Sequence, residues 1–248
     1  MQALTAAAVV AASMVLASVE SRALHRGEGE QAASGRLRGR AVFRGTAPPQ
    51  GVADMSADPA CLAAGSPPPI ETVAVDALGG LQNVFVYIKD GLDAARSFPM
   101  PSAPVQLNQK GCRFVPHVLG VRVGQQLAIL NSDQLLHNVH ATPSLNTPFN
   151  IGQPIAGMLA FRTFTQPEVM VPITDDVHSW KSAFVGVVAH PFFDVTAQSG
   201  SFALDNVPPG RYTVEAWHER FGTATRDVTL GPGKTQTLQF EFPGRGAR

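Results

Sequence analysis

The chain has 248 residues, with 19 Lys plus Arg against 19 Asp plus Glu, and so no formal net charge at pH 7. That balance gives no electrostatic reason to expect a nucleic acid or an anionic membrane surface as partner. Only 15% of residues are charged, while Gly (23) and Pro (20) are abundant, which suits many short strands and tight turns rather than long helices.

In chain order, residues 4–19 are apolar and Ala-rich, and Ser21-Arg22-Ala23 places small residues where a signal peptidase cuts. Residues 1–23 are therefore expected to be a removed signal peptide, and the mature protein to be periplasmic or secreted without a membrane span. Met1-Gln2 supplies no basic residue, and the alternative is an uncleaved anchor, for which the apolar run is short. Residues 24–34 read as a flexible leader.

From Arg36 the pattern alternates strictly, with Arg36, Arg38 and Arg40 on one face and Leu37, Gly39 and Ala41 on the other. That is a half-buried strand with a solvated face. Residues 45–69 form a Pro-, Gly- and Ala-rich loop. Strands are expected at 71–75 and 83–88, with a turn at Gly79-Gly80 between them. Residues 91–103 are a second loop, with one helical turn over 92–97. Further strands are expected at 105–108, 113–116, 119–123, 126–131, 137–141, 159–164, 169–174 and 183–188. The set ends with 192–196, 201–204, 211–217, 224–230 and 235–242, separated by turns such as Asn206-Val207-Pro208-Pro209-Gly210. No long stretch holds a 3.6-residue period, so the class is all-β, as sandwiches or partly open barrels.

The two cysteines, Cys61 and Cys112, each lie in a Pro- or Gly-rich loop, and neither has a second Cys at zinc-ligand spacing. One disulfide suits an exported chain, and two free buried thiols are the alternative. A bridge closing about fifty residues would stabilise by roughly 4 kcal/mol in the chain-entropy model.

Residues 104–194 resemble the cupredoxins, the small blue-copper electron-transfer domains. Gly124-Gln125-Gln126-Leu127-Ala128-Ile129-Leu130-Asn131 looks like the strand before the first copper ligand, and Leu136-His137-Asn138-Val139 like the ligand itself. Asp175-Asp176-Val177-His178-Ser179-Trp180-Lys181 looks like the ligand loop, closed by Phe184-Val185-Gly186-Val187-Val188. The segments at 109–112, 116–118, 137–140, 178–180 and 217–219 resemble those of exported bacterial cupredoxin-like proteins, some labelled methylamine-utilisation proteins. Residues 196–212 look like the second half of a carboxypeptidase-regulatory-like, transthyretin-like β-module, whose first half would lie within 35–103. The resemblances together imply a cupredoxin-like Greek-key sandwich packed with, and inserted into, a regulatory-like sandwich completed by residues 195–248.

On the cupredoxin pattern Cys-x-x-His-x-x-Met, the Cys position falls on Asp175, the His on His178 and the Met on Lys181, while the first His falls on His137. Both imidazoles survive and both sulfur ligands are gone. Neither cysteine can stand in by sequence position, and Met158 and Met170 lie outside the loop. The resemblance implies a metal site at His137, Asp175 and His178 that suits Cu(II) or zinc, with no metal as the alternative. Lys181 would repel a divalent ion unless it swings out or loses its proton, or it would replace the ion as a salt bridge to Asp175.

His140 is expected to face away from His137, His117 to be a loop residue near the rim, and His218 to be structural. Trp180 is either a docking aromatic or packing. The usual enzyme signatures are missing: no Gly-x-Ser-x-Gly, no His-Glu-x-x-His and no phosphate-binding loop. The expected function is that of a non-enzymatic copper-binding or electron-transfer protein with a modified site and a redox or membrane-bound partner. The alternative is a metal-free sandwich, a binding or scaffold module that contacts a carbohydrate, a membrane-bound enzyme or a cytochrome through the loops around Trp180.

Overall fold

The computed structural model describes residues 33–244, so the predicted signal peptide and most of the leader lie outside the described residues. In chain order the elements begin with β1 (Gly35–Arg44), α1 (Pro59–Ala64), β2 (Phe85–Asp90), β3 (Val105–Gln109), β4 (Phe114–Val115) and β5 (Val118–Arg122). They continue with β6 (Gln126–Asn131), β7 (His137–Ala141), β8 (Phe149–Gln153), β9 (Leu159–Thr163), β10 (Glu168–Thr174) and β11 (Ser182–Val188). The last five are β12 (Phe193–Val195), β13 (Ser201–Val207), β14 (Gly210–His218), β15 (Gly222–Leu230) and β16 (Thr235–Pro243).

The middle of the chain makes one sandwich. A five-stranded sheet ordered β5-β11-β10-β7-β8 faces a four-stranded sheet ordered β4-β3-β6-β9. Alternation along these strands turns Leu107, Leu127, Ile129, Val139, Ile173, Val185 and Val187 into a shared core, each fully buried. The chain ends make a second sandwich from sheets ordered β13-β1-β16 and β12-β2-β14-β15. Here β1 lies between antiparallel β13 and parallel β16, so both strands of its ladder come from the far end of the chain. The architecture is thus all-β, with a cupredoxin-like sandwich carried within a regulatory-like one.

The two sandwiches meet over Phe85, Tyr87, Val118 and Val188, with Phe184, Phe193 and Trp217 at the margin. Close approach depends on bare backbone at Gly120 and Gly186. A Cβ at Gly120 would stand 2.3 Å from the Phe193 ring, and one at Gly186 would stand 2.4 Å from Phe85.

Three local expectations change. Residues 71–75 form only an isolated bridge, Val75 to Leu81, because Asp76 folds the chain back by accepting from the Leu78 and Gly80 amides. Residues 92–97, expected to hold one helical turn, instead hold a single non-helical turn closed by Arg96 N–H to Asp93 O. β8 and α1 were not expected. β8 is a Phe-Asn-Ile-Gly-Gln strand of weak propensity that gains its form by pairing with β7. α1 starts on an Asp58 N-cap with Pro59 in its first turn.

Candidate metal centre

His137 opens β7, whose alternation points His137, Val139 and Ala141 inward. The preceding loop is shaped by buried Asn131, whose amide donates to Leu135 O and Gln153 O while its Oδ1 accepts the Asp133 N–H. His178 sits on the loop between β10 and β11. Asp175 builds that loop: its Oδ1 accepts the Val177 and His178 amides, and its Oδ2 accepts the Asn138 amide on β7. The turn closes with Lys181 N–H to His178 O. One carboxylate therefore ties the two histidine-bearing segments together.

The residues expected to form the site converge. His137 is 0% exposed, His178 1% and Asp175 4%. The Nδ1 atoms of the two histidines face each other at 3.3 Å, and Asp175 Oδ2 is 3.2 Å from His178 Nδ1 and 3.8 Å from His137 Nδ1. A triangle with those edges has a point in its plane about 2.0 Å from all three corners, which is the bond length of zinc or a similar ion to imidazole nitrogen and carboxylate oxygen.

Both outward ring nitrogens are held by carboxylates. His137 Nε2 is 2.9 Å from Asp133 Oδ2, and His178 Nε2 is 2.9 Å from Asp58 Oδ2. An Nε2–H donated to a carboxylate leaves the Nδ1 lone pair inward, the tautomer a metal ligand needs. Burial pushes the Asp133 carboxyl up, but the amides of Cys112 and Gly111 and the His137 ring outweigh it and hold it below the usual range. The His178 ring and the Ala60 and Cys61 amides likewise hold Asp58 low against desolvation. Burial, followed by the Lys181 charge, depresses His137, which favours neutral imidazole.

Lys181 does not swing out. Its Nζ lies 2.6 Å from Asp175 Oδ2 and 2.8 Å from Gln109 Oε1, over the Phe114 ring at 4.6 Å. Burial pushes the ammonium down to about 8, against the pull of Asp175. Burial pushes Asp175 the other way, yet Lys181 holds that carboxyl below its ordinary value. Gln109 is fixed in turn by its Nε2 donating to Gln153 Oε1, and Gln153 donates to Ile129 O and Met158 O.

Asp58, Gln109 and Gln153 join the cluster in addition to the expected residues. A cap signal at Asp58-Pro59 was available for the helix start, but nothing local indicates that its second oxygen reaches a histidine 120 positions away. Cys61 and Cys112 are joined in a disulfide, as expected. Trp180 packs over His178 with ring centroids 5.0 Å apart and donates its Nε1–H to Cys112 O, so its packing role is the one observed. His140 faces outward and pairs with Asp176 at 2.9 Å. His117, expected in a loop, is buried and pairs with Glu219 at 2.5 Å, joining the two sandwiches. His218 Nδ1 accepts the Arg220 amide, while its buried Nε2 meets no partner.

Fold and cluster together define an all-β protein with a cupredoxin-like sandwich and a buried two-histidine, one-carboxylate cluster where the cupredoxin resemblance places a metal. Residues 186–243 match the model of the carboxypeptidase regulatory-like domain. Among solved structures, a purple cupredoxin from Nitrosopumilus maritimus is similar at 18% identity, over 34% of this chain and 98% of that one, with a TM-score of 0.29. A methionine-to-alanine variant of amicyanin in the Cu(I) state is similar at 18% identity, over 41% and 97%, with a TM-score of 0.31. A copper-containing nitrite reductase from Thermus scotoductus is similar at 20% identity and a TM-score of 0.31, the match covering 41% of this chain and only 26% of the reductase. No curated protein matches the chain by sequence.

Proposed function

We propose that this chain is an exported cupredoxin-like protein that holds one divalent transition-metal ion, copper(II) or zinc, through His137, Asp175 and His178. The observation that carries this reading is the triangle of two Nδ1 atoms and one carboxylate oxygen. Charge supports it. With both imidazoles neutral, Asp58, Asp133 and Asp175 set three negative charges against one Lys181 ammonium, and a divalent ion brings the group to neutrality. When bound, the ion supplies a Lewis-acidic centre, or a redox centre if it is copper.

The donor set decides what kind of centre this is. It contains no thiolate and no thioether, so it lacks the soft ligands that give blue-copper sites their colour and fast electron exchange. Imidazole and carboxylate favour Cu(II) over Cu(I) and also accept zinc, less tightly than Cu(II). The chain's own residues orient the rings through Asp58 and Asp133 and keep bulk water out. Amine chemistry has no residue to carry it here.

A second reading rests on Lys181. Its ammonium already answers Asp175, Gln109 and the Phe114 ring, so the cluster would serve as a metal-free polar core of a binding or scaffold module. Metal analysis and electron paramagnetic resonance of tag-free protein separate the two. The expected result is one tightly held Cu(II) per chain with a non-blue signal, lost in His178→Ala. Protein that stays metal-free after copper challenge and buffer exchange supports the scaffold.

A further inference from the structure

The disulfide is wired to the same cluster at both ends. The Cys61 amide donates to Asp58 Oδ1, and the other oxygen of Asp58 takes His178 Nε2. The Cys112 amide donates to Asp133 Oδ2, and that oxygen takes His137 Nε2. Each cysteine thus backs one carboxylate, and each carboxylate holds one imidazole. The sulfurs are close as well. A ligand atom from each of Asp58, Cys61 and His178 lies within 4.8 Å of the others, and the same holds for Cys112, Asp133 and His137. Both cysteines are buried, at 1% and 0% exposure, against Ala53, Met55, Leu135 and Trp180. Two sulfurs 117 and 25 positions from the histidines they approach cannot be there for local reasons. Each brings a soft donor beside a histidine–carboxylate pair that otherwise offers only nitrogen and oxygen.

We infer that reduction of Cys61–Cys112 converts this centre into a thiolate site for Cu(I) or zinc, built from both cysteines with His137 and His178. The inference rests on the same histidines as the metal reading, but on their sulfur side. The redox step balances with an external dithiol. One of its thiolates attacks a disulfide sulfur and expels the other cysteine as thiolate. The second external thiol resolves the mixed disulfide, and the reductant leaves as its own disulfide. Two electrons and two protons pass to Cys61 and Cys112, and metal binding then releases the thiol protons. Oxidised, the centre offers hard and borderline donors suited to Cu(II); reduced, it offers two thiolates suited to Cu(I).

The gate is α1 and its flanks. The helix is six residues long, begins at Asp58 and carries Cys61 in its first turn. While the bridge is closed, that segment is tied to Cys112 and its Asp58 caps His178. Once open, it is held to the centre by Asp58 and by packing alone, and the thiols can turn toward the rings.

The test uses the full mature chain under anaerobic conditions, oxidised and dithiol-reduced, with free thiols counted before each titration. Co(II) is the first probe. The reduced chain is expected to show thiolate-to-cobalt charge-transfer absorption in the near ultraviolet, and the oxidised chain and Cys61→Ser/Cys112→Ser none. Cu(I), presented against a competing chelator, is expected to bind the reduced chain on the order of 100-fold more tightly than the serine variant. A reduced chain with two free thiols, no charge-transfer band and the same Cu(I) affinity as the serine variant overturns the inference. The proposed function is read separately, from Cu(II) bound by the oxidised chain. An oxidised chain without Cu(II) beside a reduced chain with the charge-transfer band would sink that reading and leave this one standing.

Discussion

Lys181 would set the affinity of the proposed metal centre. Its Nζ touches the Asp175 oxygen that completes the donor triangle, so an incoming divalent ion must displace the ammonium or share the carboxylate with it. Lys181→Met keeps the length and apolar stem, removes the like charge and puts a thioether where the cupredoxin pattern has one. It should tighten Cu(II) binding by roughly 10- to 100-fold, as measured by competition titration. Weaker binding in this variant would mean that Lys181 supports the centre by holding Asp175 in place. Two further histidines titrate in opposite senses, away from the metal residues. His117 Nδ1 faces Ser182 O and its Nε2 faces Glu219, so both nitrogens face acceptors and the surroundings favour the protonated ring. Burial pushes this His down, but Glu219 outweighs it and the net shift is upward. Its stabilisation is therefore complete below the unfolded value near 6.5 and lost as pH rises through the folded one. Burial pushes His218 down to about 4, so the unfolded chain takes the proton first and stability falls as pH drops from about 6.5 toward 4, by on the order of 3 kcal/mol. Urea midpoints against pH should show both slopes. Glu219→Gln should flatten the alkaline side, and His218→Gln should flatten the acid side.

At the scale of elements, α1 and the His178 loop form one device, and Asp58 is where they meet. Its Oδ1 caps the helix by accepting the Ala60 and Cys61 amides, and its Oδ2 orients His178. Asp58→Ala should cost about 1 kcal/mol through the lost cap and weaken Cu(II) binding by roughly 10- to 100-fold through the freed imidazole. Asp58→Asn retains a capping oxygen and should recover the stability while leaving affinity reduced, a split that thermal melts and copper titration can read on the same samples. Much of this device was legible in the sequence and part was not. The period-two runs of β7, β10 and β11 and the place of His137 and His178 beside them could be read because burial imposes alternation on every residue of a strand. The Asp175–Lys181 pair could be posed as an alternative because both fall on a known ligand pattern. The roles of Asp58, Gln109 and Gln153 were not legible, since each acts through a side-chain contact 44 to 120 positions away. β8 was hidden by its Asn and Gly, whose strand form comes from the β7 ladder and not from their own preference.

At the scale of the whole molecule, the two sandwiches are unequal partners in folding. The outer one draws β1 and β2 from before the cupredoxin-like unit and β12 to β16 from after it. To pair β2 with β12, the chain must bring Tyr87 and Phe193 together across about a hundred residues, at an entropic cost of about 4 kcal/mol if those residues are unfolded. A folded inner sandwich removes most of that cost. Its parallel β5–β11 pair delivers the chain to the outer sheet, where Phe85 and Phe193 seat on Gly186 and Gly120. The inner sandwich, by contrast, is one continuous run of chain and closes its own core. Destabilisation should therefore spread in one direction. Val185→Ala, in the inner core, should lower the unfolding midpoints of both sandwiches, while Val214→Ala, in the outer core, should lower that of the outer one more. Trp180 reports from the His178 loop of the inner sandwich, and Trp217 reports from β14 of the outer one, where it packs across the interface against Phe184. Single-tryptophan versions, Trp217→Phe and Trp180→Phe, let each transition be followed alone in urea. Equal shifts of both reporters in both core variants would mean that the interface at Phe85 and Phe193 couples the sandwiches into one cooperative unit, and that chain order sets no direction.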